Sequence, residues 1–137
     1  MAQGNGKGGI SVRSVARNRA NGKRYEGELV KTLRSRNINA RLGRSNEEGD
    51  VILPELNIVI EAKSTDLDRY RISKAMDQFM RLCRLDSEVW YAIRYKGDGI
   101  SGWQFYPIPV KSTVLLRGEG LTLTEFVMLK ERRVDAL

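Results

Sequence analysis

Two short apolar runs, Asp50-Val51-Ile52-Leu53 and Asn57-Ile58-Val59-Ile60-Glu61-Ala62-Lys63, are separated by little more than Pro54-Glu55-Leu56. Both are rich in β-branched residues, and the connector is turn-like. The spacing predicts an antiparallel hairpin, and hence a sheet that other elements must cover.

The flanking segments supply the cover. Tyr25, Leu29 and Leu33 recur at four-residue spacing, with Val30 widening the stripe, so a helix is expected over 23–36 with Asn37 able to cap its end. Arg41 to Gly49 reads as a polar loop and Asp66 to Tyr70 as a connection. A second helix is expected over 72–85, with Ile72, Met76, Phe79, Met80 and Cys83 on one face. Val89 to Tyr95 and Gly102 to Tyr106 read as strands about a Gly97-Asp98-Gly99 turn. Thr122 and Glu125 have capping-box spacing and open a last helix to about Arg133. The order helix, strand, strand, helix, strand, strand, helix predicts an α/β fold, one mixed central sheet flanked by helices. A glycine-rich basic arm is expected at 1–14 and one folded domain at 15–137.

The chain contains no histidine and one cysteine, Cys83. That excludes Ser-His-Asp and Cys-His catalysis, His-ligated zinc and an internal disulfide. A hydrolase built from this sequence has carboxylates, lysine and a hard metal ion to work with. No apolar run reaches the ~18 residues of a membrane helix, and the first ten residues lack a signal-peptide core. No membrane partner and a cytoplasmic location are expected.

Charge is unevenly spread. Residues 1–44 hold eleven Lys/Arg against two acids, while the rest hold 13 against 15, for a net +7. A basic front end on a near-neutral body suits a polyanion, nucleic acid above all, although it also describes a solubilising tail.

Asp50, Glu61 and Lys63 form the one constellation that could carry chemistry. Residues two apart in a strand share a face, so Glu61 and Lys63 point together, and hairpin pairing brings Asp50 alongside. Paired carboxylates suit Mg²⁺ or Mn²⁺. The same spacing also fits a half-exposed strand with solvent-facing charges and Asp50 as a turn residue. Glu26, on the first helix, either completes a metal site or forms an ordinary helix pair with a neighbour such as Lys23; Glu28 reads as surface charge. Trp103, Phe105 and Tyr106 read as strand core rather than base-stacking residues.

The runs KRYEGELVKTLRSRNINARLGRS and GDVILPELNIVIEAKST resemble the PD-(D/E)XK nuclease core, and more narrowly the archaeal-type Holliday junction resolvases. The likeness continues through Asp77-Gln78 and VWYAIRYKGDGISGWQFYPI, covering about residues 22–108. It implies a restriction-endonuclease-like fold and a Mg²⁺-dependent, structure-selective endodeoxyribonuclease, with Mn²⁺ as a substitute. Such an enzyme resolves four-way DNA junctions as a homodimer. The resemblance makes Asp50 and Glu61 metal ligands, Lys63 the catalytic lysine and Glu26 the helix glutamate. It makes Arg41 and Ser45 DNA contacts and gives Gln78 the place of a helix polar residue; Arg24 and Arg44 join them as expected DNA contacts. Two residues depart from the pattern: Gly49 stands before Asp50 in place of proline, and Gly27 follows the helix glutamate in place of arginine. Another nuclease of the same fold, or a non-catalytic nucleic-acid-binding module, would share much of this pattern. Phe79, Trp90, Trp103, Phe126, Val127 and Leu129 are candidates for a dimer interface if they are not core.

Overall fold

The computed structural model describes residues 25–44, 49–75, 77–78, 86–96, 102–110 and 112–136. Helix α1 occupies residues 25–35. It ends as the sequence suggests: Asn37 adopts the left-handed conformation (φ 64°), and the Asn37 and Ile38 amides donate to the Arg34 and Leu33 carbonyls at 3.0 Å. The chain thereby reverses, and Ile38 is buried beside the helix it leaves.

The strands are β1 (Arg41–Leu42), β2 (Val51–Leu53), β3 (Ile58–Thr65), β4 (Arg69–Arg71), β5 (Glu88–Tyr95), β6 (Trp103–Pro107), β7 (Val114–Leu116) and β8 (Leu121–Thr122). Helix α2 spans Leu123–Ala136. Six strands form one sheet in the order β1-β2-β3-β5-β6-β8, while β4 and β7 form a separate two-stranded ribbon. Only β3 and β5 run parallel in the six-stranded sheet; its other pairs are antiparallel. The expected mixed sheet flanked by helices is therefore the observed architecture.

The predicted hairpin is β2–β3, with Val51 opposite Ile60 and Leu53 opposite Ile58. Its connector is one 3-10 turn, Pro54–Leu56, closed by Asn57 in the left-handed conformation (φ 54°). Strand alternation then divides the core. Ile58, Ile60, Ala62, Trp90, Ala92, Trp103 and Phe105 share one face with Leu29, Val30 and Leu33 of α1 and Phe126 and Val127 of α2. Phe105 stacks on Phe126 at 4.2 Å between ring centroids, and Trp90 meets Phe126 edge-on at 5.1 Å. Val89, Tyr91, Ile93, Tyr95 and Tyr106 share the other face with Ile72 and with Leu115 of the ribbon. Trp90, Trp103, Phe126 and Val127 are thus core, which removes them as interface candidates; Leu129 remains partly exposed.

Three expectations change. Arg41 and Leu42 are a short edge strand rather than loop. The polar connection after β3 contains β4, whose partner β7 lies more than forty residues downstream. Ile72 precedes the second helix, whose described residues are 74, 75, 77 and 78. The last helix opens with the anticipated reciprocal cap: the Glu125 amide donates to Thr122 Oγ1 (3.1 Å) and the Thr122 amide to Glu125 Oε1 (2.8 Å). The 1–14 arm, Arg24, Ser45, Met76, Phe79, Met80, Cys83 and the Gly97-Asp98-Gly99 turn lie outside the described residues. Among the described residues no helix is long and apolar enough to cross a membrane.

Candidate active site

Glu61 and Lys63 lie on the same face of β3 as Val59, the face opposite α1 and α2. Extending the β2–β3 register one step beyond Val51 and Ile60 puts Asp50 opposite Glu61. Asp50 itself sits in the bend before β2, one residue short of the expected strand. Its Oδ2 accepts the Ala62 backbone N–H at 2.9 Å. The side chain thus takes the place of a strand partner for an amide just past the end of the β2 ladder.

Burial is graded across the group. Glu61 is 9% exposed, while Asp50 and Lys63 are half-buried. Glu61 follows three apolar residues of β3, Ile58-Val59-Ile60, and a buried carboxylate requires charged or hydrogen-bonding partners to offset its desolvation. Glu61 lies at the mouth of the β2–β3 pair with a second carboxylate, Asp50, across from it.

The backbone around Asp50 is narrowly determined. The Gly43 N–H donates to the Asp50 carbonyl at 2.9 Å. A Cβ on Gly43 would lie 1.8 Å from the Gly49 carbonyl oxygen, so no other residue fits there without moving the chain. Gly49 itself has φ 104°, a conformation that side chains resist. These two glycines set where Asp50 emerges. In the sequence they show only a flexible composition; their spacing on either side of a polar stretch ending at the acid is the signal that could have found them.

The remaining predicted residues fall in three groups. Arg41 pairs with Ile52 in the β1–β2 ladder and so stands on the Asp50–Glu61 face, at the sheet edge, while Arg44 is exposed where the chain leaves β1. Gln78 is exposed beside a buried Asp77. Glu26 is half-buried on α1, whose Leu29, Val30 and Leu33 pack on the opposite face of the sheet. Among the described residues no three carboxylate, thiol or imidazole side chains gather closely enough to hold a metal ion, so Glu26 is not drawn into one cluster with Asp50 and Glu61. Glu28 is not the loose surface charge expected of it. It accepts Arg94 Nε at 2.8 Å, and the same guanidinium lies 5.1 Å from the Tyr25 ring centroid. This cluster ties the start of α1 to β5.

No protein-family model matches this sequence, and neither does any curated protein. A solved structure does. It is Archaeoglobus fulgidus Hjc, a Holliday junction resolvase from an archaeal hyperthermophile. The superposition has a TM-score of 0.60 and covers 79% of this chain and 96% of the resolvase, at 18% sequence identity. The protein therefore has a resolvase-like, restriction-endonuclease-like fold. At that identity the shared property is the arrangement of the backbone.

Proposed function

We propose that this protein is a divalent-metal-dependent endodeoxyribonuclease that resolves four-way DNA junctions. One observation carries the reading: Asp50, fixed by the Ala62 amide, stands across from the buried Glu61, with Lys63 two residues on along the same face. The fold shared with a Holliday junction resolvase supports it.

The donor set fits a hard cation. Asp50 and Glu61 offer carboxylate oxygens, and the Ala62 carbonyl leaves β3 on the same side as the amide that Asp50 binds. Mg²⁺, or Mn²⁺ in its place, would be held by Asp50 and Glu61 with that carbonyl, and Glu26 would join only by a change in its surroundings. When bound, such an ion polarises a phosphoryl oxygen and makes water more acidic. Asp50 is held to its place by the Ala62 amide and by the Gly43–Gly49 pinch behind it. Lys63 brings three N–H donors to a half-buried position, where its charge orients water and offsets the negative charge that builds on a phosphate under attack. Arg41 and Arg44 place cations on the edge past which a phosphate backbone would run. Paired cuts in a two-fold symmetric junction require two such sites, hence a homodimer.

Cleavage of a synthetic four-way junction, set beside linear duplex of the same sequence, tests this with Mg²⁺ and with EDTA, for wild type and Asp50→Ala. Symmetric nicks on the junction alone, lost in EDTA and in the variant, are the expected result. Cutting of both substrates would keep the nuclease and remove the junction selectivity. Tight binding without cutting under any divalent metal would turn the protein into a DNA-binding module.

A further inference from the structure

Glu61, Lys63 and Thr65 succeed one another along one face of β3. Past Lys63, at Thr65, that face reaches a cleft of about 320 Å³ lined by Thr65, Leu67, Arg69, Tyr70, Arg71 and Val114. Two residues of strand span about 6.6 Å. The cleft therefore begins about two nucleotides along from Lys63, taking about 3.4 Å per stacked nucleotide.

Its charge is one-sided. The turn leading into β4 holds two acids, but Asp66 is ion-paired with Lys96 (3.2 Å) and Asp68 with Arg117 (3.1 Å). Among the described residues no acid lines the cleft. Arg69 and Arg71 occupy alternate, exposed positions of β4, with the half-buried Tyr70 between them packed on the core. Among the described residues neither arginine forms an ion pair. Beside them Leu67 is 55% exposed at the turn, an apolar side chain left at the rim of a cationic cleft. Paired guanidinium groups next to an apolar wall match a phosphate joined to a sugar and base better than they match a free anion.

We infer that this cleft is a subsite for a nucleotide about two to four steps from the cut, with Arg69 and Arg71 on its phosphate and Leu67 and Val114 against its sugar and base. The inference rests on the nuclease reading of Asp50, Glu61 and Lys63. The β4–β7 ribbon then positions the strand to be cut, a role separate from the metal-binding carboxylates.

The test is binding of a four-way junction by the full chain in EDTA, where nothing is cut, across a salt series. Arg69→Ala/Arg71→Ala is expected to lower the slope of log K against log salt by about one, for the one phosphate that is no longer neutralised. A methylphosphonate, which removes one phosphate charge, is then placed about two to four nucleotides from the cleavage position, on each side in turn. On one side it is expected to weaken the wild type about tenfold and to leave the double variant unchanged. If alanine lowers the urea midpoint, Arg69→Gln/Arg71→Gln carries the same measurement. An unchanged slope, or methylphosphonate penalties equal in both proteins, overturns the subsite. Where the wild type still cuts the junction, the nuclease reading survives that result. A wild type that never cuts with any divalent metal removes both.

Discussion

Asp50 Oδ2 accepts the backbone N–H of Ala62 at 2.9 Å, so the carboxylate that faces Glu61 is also the cap on an open strand end. The two duties separate by substitution. Asp50→Asn keeps an acceptor oxygen for the amide and removes the charge. Its urea midpoint and junction binding should stay near wild type, while Mg²⁺-dependent single-turnover cleavage falls by more than ~100-fold, beyond what outer-shell changes at metal sites cost. Asp50→Ala should lose the same activity and a further ~1–3 kcal/mol of stability, because the Ala62 amide is left without its acceptor. Equal cleavage by wild type and Asp50→Asn would remove Asp50 from the chemistry.

Gly43→Ala tests whether the glycine pinch sets the acid. The new Cβ would lie 1.8 Å from the Gly49 carbonyl oxygen, so the backbone on one side or the other must give way. The expected cost is ~1–3 kcal/mol in urea unfolding, as for overpacking elsewhere. Cleavage should fall more steeply than stability, since the displaced strand carries Asp50. Gly27→Ala is the matched control, as a Cβ there meets nothing within 4 Å.

Glu28→Ala should destabilise the fold by about 1.5 kcal/mol, the lower end for hydrogen bonds to charged groups, because both side chains retain some solvent. It leaves Arg94, whose side chain is 16% exposed, over the Tyr25 ring without its carboxylate. Glu28→Gln, which keeps an acceptor, should cost less. Urea midpoints of the two variants give the comparison directly.

The hairpin, the α1 terminus and the α2 cap were legible because each is a local decision. β-branched residues around Pro54 and Asn57, asparagine after the last helical turn, and Thr122 three residues ahead of Glu125 each settle their own backbone. What escaped was non-local. Arg69-Tyr70-Arg71 has no strand pattern of its own and becomes β4 only through Val114–Leu116. Arg41-Leu42 is a strand because Val51 and Ile52 offer an edge. Glu28 and Arg94 stand 66 residues apart, so nothing in either neighbourhood announces their pairing. The candidate site was readable to the same extent: Glu61 and Lys63 from strand period, Asp50 from hairpin register, but not the glycines that fix Asp50 or the cleft beyond Lys63.

The α2 cap gives a pH signature. Hydrogen bonds from the Thr122 amide and hydroxyl hold the Glu125 carboxyl below its usual range. A group whose folded value is depressed contributes its stability above the unfolded value and loses it as pH falls through the folded one. Glu125 should therefore add to stability at neutral pH and lose that contribution on the acid side of the ordinary glutamate range. Glu125→Gln should flatten this limb of the stability–pH curve while leaving the alkaline limb alone. Thr122→Ala, which removes the other half of the box, should cost about 1 kcal/mol at neutral pH. Urea midpoints of the three proteins between acid and neutral pH check both statements; parallel acid limbs for wild type and Glu125→Gln would mean that the carboxylate does not engage the cap in solution.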